Sequence, residues 1–290
     1  ALAVASAAFA DWGEGQLLLV AGDVPLLPVD QVRSFWAMFD GEDCDAAVIS
    51  IRPEEPRGYG RVLRDAEGRL QRVVEERDAT PEERAVREVN SGVYLFRVPS
   101  VFSLLDKIGK DNAQGEYYLT DLFRLLYRSG RPAQVYEGAQ PERWMGVNSQ
   151  QELARSARLL QREIIEGWMA RGVTVLDPDT AWVEPSAVLE PGVVLHPFVR
   201  IGGRSHVEAR AEIGSFSSVQ DSRIGAGTVV KEHCSLYGTA TGPDCILGPI
   251  CRTREGTELS GRVHLGNFVE TKKARLGDGA KANHLSYLGD

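Results

Sequence analysis

The 290-residue chain contains no C-x-x-C pair: Cys44, Cys234, Cys245 and Cys251 lie far apart or at spacings that build neither a zinc ribbon nor a disulfide scaffold. Reduced thiols in a cytoplasmic setting are the expectation. No stretch reaches the roughly 18 apolar residues of a membrane helix, because Asp11, Asp23 and Asp30 interrupt the apolar N-terminal runs. The opening ALAVASAAFA imitates the apolar part of a signal peptide, but the first basic residue is Arg33, so it reads as a cut helix. Positive charge is in deficit. Against 41 acidic side chains stand 33 basic ones, a net charge of −8 that repels phosphate backbones and anionic lipid, so neither a nucleic-acid nor a membrane partner is expected. What remains, 43% hydrophobic residues over a length of two domains at roughly 150 residues each, is enough for ordinary cores.

The first half mixes strands and helices. Leu17 to Ala21 runs without polar alternation and stops at Gly22-Asp23, as a strand buried on both faces does at a sheet edge. Apolar segments at Ala46 to Ile51, Arg69 to Val74 and Val89 to Phe96 predict further strands. Helical spacing is seen from Val101 to Ile108 and from Tyr118 to Tyr127, which together indicate an α/β layer fold. Gln151 to Met169 predicts a connecting helix closed by Gly172. The expected domains are residues 1–150, a connecting helix over 151–172, and residues 173–290.

The last of these carries an internal repeat. Val183, Leu189, Leu195, Ile201, Val207, Ile213 and Val219 follow one another at a spacing of six, with small or short residues four positions after each of the first six. After a slip of one residue the period resumes at Ile224, Val230 and Leu236, and again at Leu276, Ala282 and Leu288. Such hexads predict a triangular solenoid in which each hexad forms one flat side, the large aliphatic points inward and three hexads complete a coil.

Several residues are candidates for chemistry. Asp23 sits where a buried strand leaves the sheet, and its carboxylate either holds a nucleotide-bound Mg²⁺ or caps the turn before Pro25. Gly60 in Gly58-Tyr59-Gly60 allows close approach of backbone to a ligand or simply a turn. Glu75 and Asn90, within or beside strands, either hold a sugar or belong to a solvated strand face. Asn148 is an N-terminal cap or a neutral metal ligand. In the solenoid His284 is a candidate general base, and Arg254, Lys272 and Lys273 offer charge for a sugar phosphate, while four other histidines leave the surface reading of any one of them open.

The ordered set AGDVPLL (21–27), GYGRV (58–62), VVEERDAT (73–80), EVNSGVY (88–94), NAQGEYYLTD (112–121), GVN (146–148), the hexads and GNFVETKKARLGDGAKANHLSYLGD (266–290) resembles the bifunctional N-acetylglucosamine-1-phosphate uridyltransferase / glucosamine-1-phosphate acetyltransferase over essentially the whole chain. The resemblance implies a Rossmann-like α/β nucleotidyltransferase domain, truncated at its N-terminus, followed by a left-handed parallel β-helix of hexapeptide repeats, truncated at its C-terminus. It implies Mg²⁺ on Asp23 and Asn148, nucleotide against Ala21, Gly22 and Asp23, and N-acetylglucosamine 1-phosphate or its UDP product at Gly60, Glu75 and Asn90. It further implies His284 as base and Arg254, Lys272 and Tyr287 as binders of glucosamine 1-phosphate, with UTP and acetyl-CoA as the other substrates and a homotrimer as the assembly. The glycine-rich phosphate loop and most of the acetyl-CoA site are absent from these residues, and Ala21 and Asn283 depart from a common Tyr and a common Gly. The 290 residues alone are therefore expected to catalyse neither step. A nucleotidyltransferase without acetyl transfer, and a non-catalytic sugar-nucleotide-binding or trimeric assembly subunit, are the competing expectations.

Overall fold

A computed structural model describes Leu2, Phe9 and residues 13–98, 100–131 and 133–289. The helix expected at residues 1–10 lies outside the described residues apart from Leu2 and Phe9. The chain forms two compact units that divide between Ser156 and Ala157.

The first unit is built on a six-stranded sheet of β1 (Gly15–Val20), β2 (Ala46–Ile51), β3 (Arg61–Arg64), β4 (Leu70–Val74), β5 (Val89–Val98) and β6 (Gln134–Glu137). Its order is β4-β3-β5-β2-β6, with β1 also paired to β5. Only the β2–β6 pair is parallel; β5 runs antiparallel to β1, β2 and β3. The expected strand at 17–21 exists as β1, but its six residues are half-buried. The fully buried run is β2. Its alternate residues enter opposite cores, Ala46 and Val48 with Phe96, Leu122, Phe123 and Leu126, and Ala47, Ile49 and Ile51 with Phe35, Phe39, Leu95 and Trp144. Two-sided burial is why the sequence shows no polar alternation there. Helix α1 (Val29–Gly41) supplies Phe35 and Phe39 to one core, and α4 (Asp121–Arg128) supplies Leu122, Phe123 and Leu126 to the other. Between them lie two short helices, α2 (Pro81–Arg84) and α3 (Phe102–Leu105).

Helix α5 (Gln150–Ala170) carries the chain into the second unit. Ile165 is buried in the solenoid's core, and the Gln161 amide bonds to both the N–H and the C=O of Val183 at 3.0 and 2.9 Å, satisfying the top of the first coil. The helix ends where Gly172 and Val173 donate back to the Met169 and Trp168 carbonyls.

The second unit is a parallel β-solenoid of about six turns, as in the hexapeptide-repeat left-handed β-helix. Face 1 holds seven strands from Thr174–Val175 to Lys281–His284, face 2 seven from Trp182–Val183 to Tyr287–Gly289, and face 3 six from Val188–Leu189 to Arg275–Leu276. Every hexad aliphatic from Val183 to Leu236 named above is at most 3% exposed. The gap in the sequence pattern between Leu236 and Leu276 is no gap in the fold. Thr241, Leu247, Thr253, Leu259, Leu265 and Thr271 keep the spacing of six, and the buried threonine hydroxyls pair inside the core, Thr239 with Thr253 at 2.7 Å and Thr257 with Thr271 at 3.0 Å. A hydroxyl that finds a partner in the next coil costs little to bury.

Coils stack too closely for a side chain at Gly225, where a Cβ would collide with the Gly242 carbonyl. Because the obstacle is backbone hydrogen-bonded across coils, Gly225→Ala is expected to destabilise the solenoid by about 3 kcal/mol. Urea unfolding followed by circular dichroism checks this; an unchanged midpoint would count against such tight stacking.

Candidate functional site

At one edge of the sheet the backbone brings five sequence motifs together. Asn90 donates its N–H to the Gly60 carbonyl at 2.9 Å, and Arg61 lies opposite Val74, so Gly60, Glu75 and Asn90 stand side by side across three strands. Ala21 donates to the Gly92 carbonyl at 3.1 Å, which sets the 21–23 turn against the start of β5. Val147 donates to the Asp23 carbonyl at 2.8 Å, which brings in the segment before α5.

The sugar-site candidates are not a solvated strand face. Glu75 is half-buried beside a cavity of about 260 Å³ whose walls include Arg72, Asp78, Asn112, Tyr118 and Arg124. Thr120 donates its hydroxyl to Glu75 Oε1 at 2.8 Å, and the second carboxylate oxygen faces Gly60, where a Cβ would stand 3.4 Å away. Burial pushes the Glu75 carboxyl above the usual carboxylate range; the Thr120 hydroxyl opposes this, while the charges of Asp78 and Asp121 add to it. The Asn90 amide is held at both ends, its Nδ2 donating to the Tyr94 hydroxyl at 2.7 Å and its Oδ1 accepting from Gly92 N–H at 3.0 Å. One acceptor on Glu75 and one N–H on Asn90 are thereby left for a ligand. The loop before β3 is anchored by Arg61, which is 2% exposed, pairs with Glu76 at 2.7 Å and donates to the Tyr59 carbonyl.

Asp23 and Asn148 converge on Gly146. A Cβ there would lie 2.7 Å from Asp23 Oδ2 and 3.6 Å from Asn148 Nδ2, so the glycine leaves room for both side chains. Ser149, not Asn148, caps α5: Glu152 N–H bonds to Ser149 Oγ at 3.2 Å, and the Glu152 carboxylate accepts from Asn148 N–H at 2.7 Å. The Asn148 side chain is thus released from the capping role and held in place by its backbone. The turn-capping reading of Asp23 finds no support either, since its carboxylate makes no hydrogen bond among the described residues. A carboxylate and an amide oxygen are hard ligands of the kind Mg²⁺ takes, one or two protein groups completed by water and phosphate. No cluster of three acidic, His or Cys side chains able to hold a metal alone occurs among the described residues.

On the solenoid, Arg254 and Lys272 line a groove of about 300 Å³ with Tyr237, Arg252 and Lys273. Glu270 tempers the charge, pairing with Arg254 at 3.4 Å. Tyr287 is opposite Glu270 on the same face. His284 is placed differently: it ends a strand of face 1, opposite Asn267, exposed and one corner away from the Arg254–Lys272 row. A larger open groove of about 620 Å³ over Tyr237–Ala240 and Glu255–Glu258 holds none of the residues singled out from sequence.

Sequence reasoning missed Thr120 and Tyr94, the two hydroxyls that fix Glu75 and Asn90. Both lie inside motifs already distinguished, NAQGEYYLTD and EVNSGVY, but Thr120 was absorbed into a helix read from Tyr118. The helix begins at Asp121, and the Thr120 hydroxyl makes no capping bond because it serves Glu75.

A nucleotidyl transferase family model matches residues 1–163. Three curated relatives are each named Bifunctional protein GlmU. That of Pelobacter propionicus is 38% identical over all of this chain and 63% of its own length. That of Halalkalibacterium halodurans is 35% identical over 95% of the chain and 60% of its own length. The relative from Desulfitobacterium hafniense is 38% identical over 94% of the chain and 60% of its own length. The chain spans about three fifths of the relatives it matches. These matches bear out the resemblance read from the motifs. With more than half of its residues under the family model and the sheet-edge site assembled from that same half, the chain belongs to the nucleotidyl transferase family.

Proposed function

We propose that the whole protein as its gene encodes it makes UDP-N-acetylglucosamine in two steps, residues 1–150 contributing to uridylyl transfer and residues 173–290 to acetyl transfer, with 151–172 as the connecting helix. The observation that carries the first half is the convergence of Asp23, Gly60, Glu75, Asn90 and Asn148 at one sheet edge. In this reading Ala21 and Gly22 border the nucleotide, and Glu75 and Asn90 fix the N-acetylglucosamine 1-phosphate so that its phosphate oxygen attacks the α-phosphorus of UTP and pyrophosphate leaves. Asp23 and Asn148 would hold Mg²⁺, which when bound neutralises triphosphate charge.

In the second half His284 removes a proton from the ammonium of glucosamine 1-phosphate, freeing the amine to attack the acetyl-CoA thioester, whose C–S bond breaks as CoA leaves and takes up a proton as the thiol, while Arg254 and Lys272 hold the phosphate and Tyr287 borders the sugar. We place the protein in the cytoplasm, a setting in keeping with four free cysteines. No helix of the described residues is long and apolar enough to cross a membrane.

The sugar assignment is tested by titrating UDP-N-acetylglucosamine into the protein at several pH values. Ionised Glu75 is the acceptor and its carboxyl is raised, so affinity falls as pH drops through a value above the ordinary carboxylate range, while Glu75→Gln binds more than tenfold more weakly and without that pH dependence. Equal affinity of both proteins would remove Glu75 from the site.

A homotrimer is part of the same proposal. At the corner before face 2, Phe198, Phe216, His233, Ile250, Phe268 and Leu285 recur every 17 or 18 residues, all exposed and all with positive φ. Phe198, Phe216 and His233 stack with ring centroids 4.8 and 5.0 Å apart. Such a stripe, on the order of 600 Å² of half-exposed side chains, reaches the lower limit of a stable interface when covered by an equal area of a second copy. Leu285 follows His284 directly, which sets the base beside that contact. Sedimentation velocity is expected to show trimers that Phe216→Asp with Phe268→Asp dissociates; a wild-type monomer at micromolar concentration would contradict this.

A further inference from the structure

Cys234 and Cys251 occupy the same position in neighbouring coils, each directly before a face 2 strand, with Ser235 paired to Arg252. Both are about 2% exposed, and the Cys251 thiol donates to Cys234 Sγ at 3.5 Å. The other two cysteines have no such neighbour: Cys245 donates to the Ser260 carbonyl at 3.1 Å, and Cys44 belongs to the first unit. From this geometry we infer that Cys234 and Cys251 are a dithiol oxidation site, which hydrogen peroxide converts into a disulfide bridging two coils beneath the basic groove.

Coil spacing of about 4.8 Å falls within the ~4.4–6.8 Å between Cα atoms that disulfides span, so the sulfurs close to roughly 2.05 Å by side-chain rotation together with a slight approach of the two Cβ atoms toward the ~3.5–4.5 Å a disulfide needs. The roles of the two sulfurs differ. The thiol proton of Cys251 holds Cys234 below the usual thiol range, while the same bond and burial push Cys251 up. Cys234 sulfur therefore attacks a peroxide oxygen, the O–O bond breaks, and a sulfenic acid and one water form. Cys251 sulfur then attacks the sulfenyl sulfur, the S–O bond breaks, and the departing hydroxide leaves as a second water with the Cys251 proton. The two thiols lose two electrons in all, and the peroxide gains them. The bridge ties Ser235 to Arg252, both of which line the groove that holds Arg254 and Lys272.

The test exposes the folded full chain to hydrogen peroxide at neutral pH and maps it without reduction, using chymotrypsin, whose cuts after Tyr237 and Leu247 separate the three solenoid cysteines. Loss of two of the four thiols, a mass decrease of about 2 Da and a 234–251 link undone by dithiothreitol are expected, with no such link in Cys251→Ala. Wild-type mapping suffices if that variant fails to fold. Four thiols surviving in folded protein, oxygen added to either sulfur without a link, pairing through Cys245, or an equal yield in urea-unfolded chain would each overturn the inference.

Discussion

Asp23→Ala is expected to lower uridyl transfer about a thousandfold in the whole protein as its gene encodes it, leaving acetyl transfer within a factor of about two. The size follows from what the carboxylate stands for. Of the two side chains that meet at Gly146 it is the charged one, its companion Asn148 being neutral, and a triphosphate approached by a second phosphate needs the opposing charge of a cation held at that point. Asp23 is exposed and its side chain makes no hydrogen bond among the described residues, so truncation costs the fold little. Pyrophosphate release at varied Mg²⁺ separates the outcomes. A rate restored by excess Mg²⁺ means weakened metal binding, and a wild-type rate at every concentration removes Asp23 from the site.

The second large effect is the mirror of the first. His284→Ala should reduce acetyl transfer by about 10²–10⁴ while uridyl transfer stays, because an ammonium that keeps its proton cannot attack a thioester. His284 is an exposed residue at a solenoid corner, which makes a folding defect an improbable explanation for lost activity. Its ring stands one corner away from the Arg254–Lys272 groove, so the two ends of glucosamine 1-phosphate would be held by different faces of the prism. Arg254→Ala should then raise the KM for the sugar phosphate more than it lowers kcat, whereas His284→Ala should do the reverse. Acetylation by His284→Ala at the wild-type rate would leave the histidine a surface residue like its four counterparts.

Much of this architecture was legible in sequence because burial imposes a period. The β2 run showed no alternation since Ala46 to Ile51 fill two cores at once, and the hexads from Val183 to Val219 showed their spacing since each aliphatic enters the prism. The same logic hid the coils between Leu236 and Leu276. Threonine at 253 and 271 reads as polar until the cross-coil hydroxyl pairs with Thr239 and Thr257 are seen, and those depend on residues 14 positions away in the chain. At the site, residue types suggested Asp23, Glu75 and Asn90, but one chain segment cannot reveal what stands beside it. Asn148 remained a cap or a ligand until Ser149 was seen to take the capping bond, and Glu75 remained a strand-face residue until Thr120 and its cavity were placed around it.

The most direct measurement supplies the whole protein with glucosamine 1-phosphate, acetyl-CoA, UTP and Mg²⁺ and follows sugar nucleotide by mass spectrometry. Two chemistries in one chain require UDP-N-acetylglucosamine to form, and to vanish when acetyl-CoA or UTP alone is withheld, N-acetylglucosamine 1-phosphate rescuing only the first omission. Formation of UDP-glucosamine at a comparable rate without acetyl-CoA, or no sugar nucleotide under any of these conditions, would contradict the assignment.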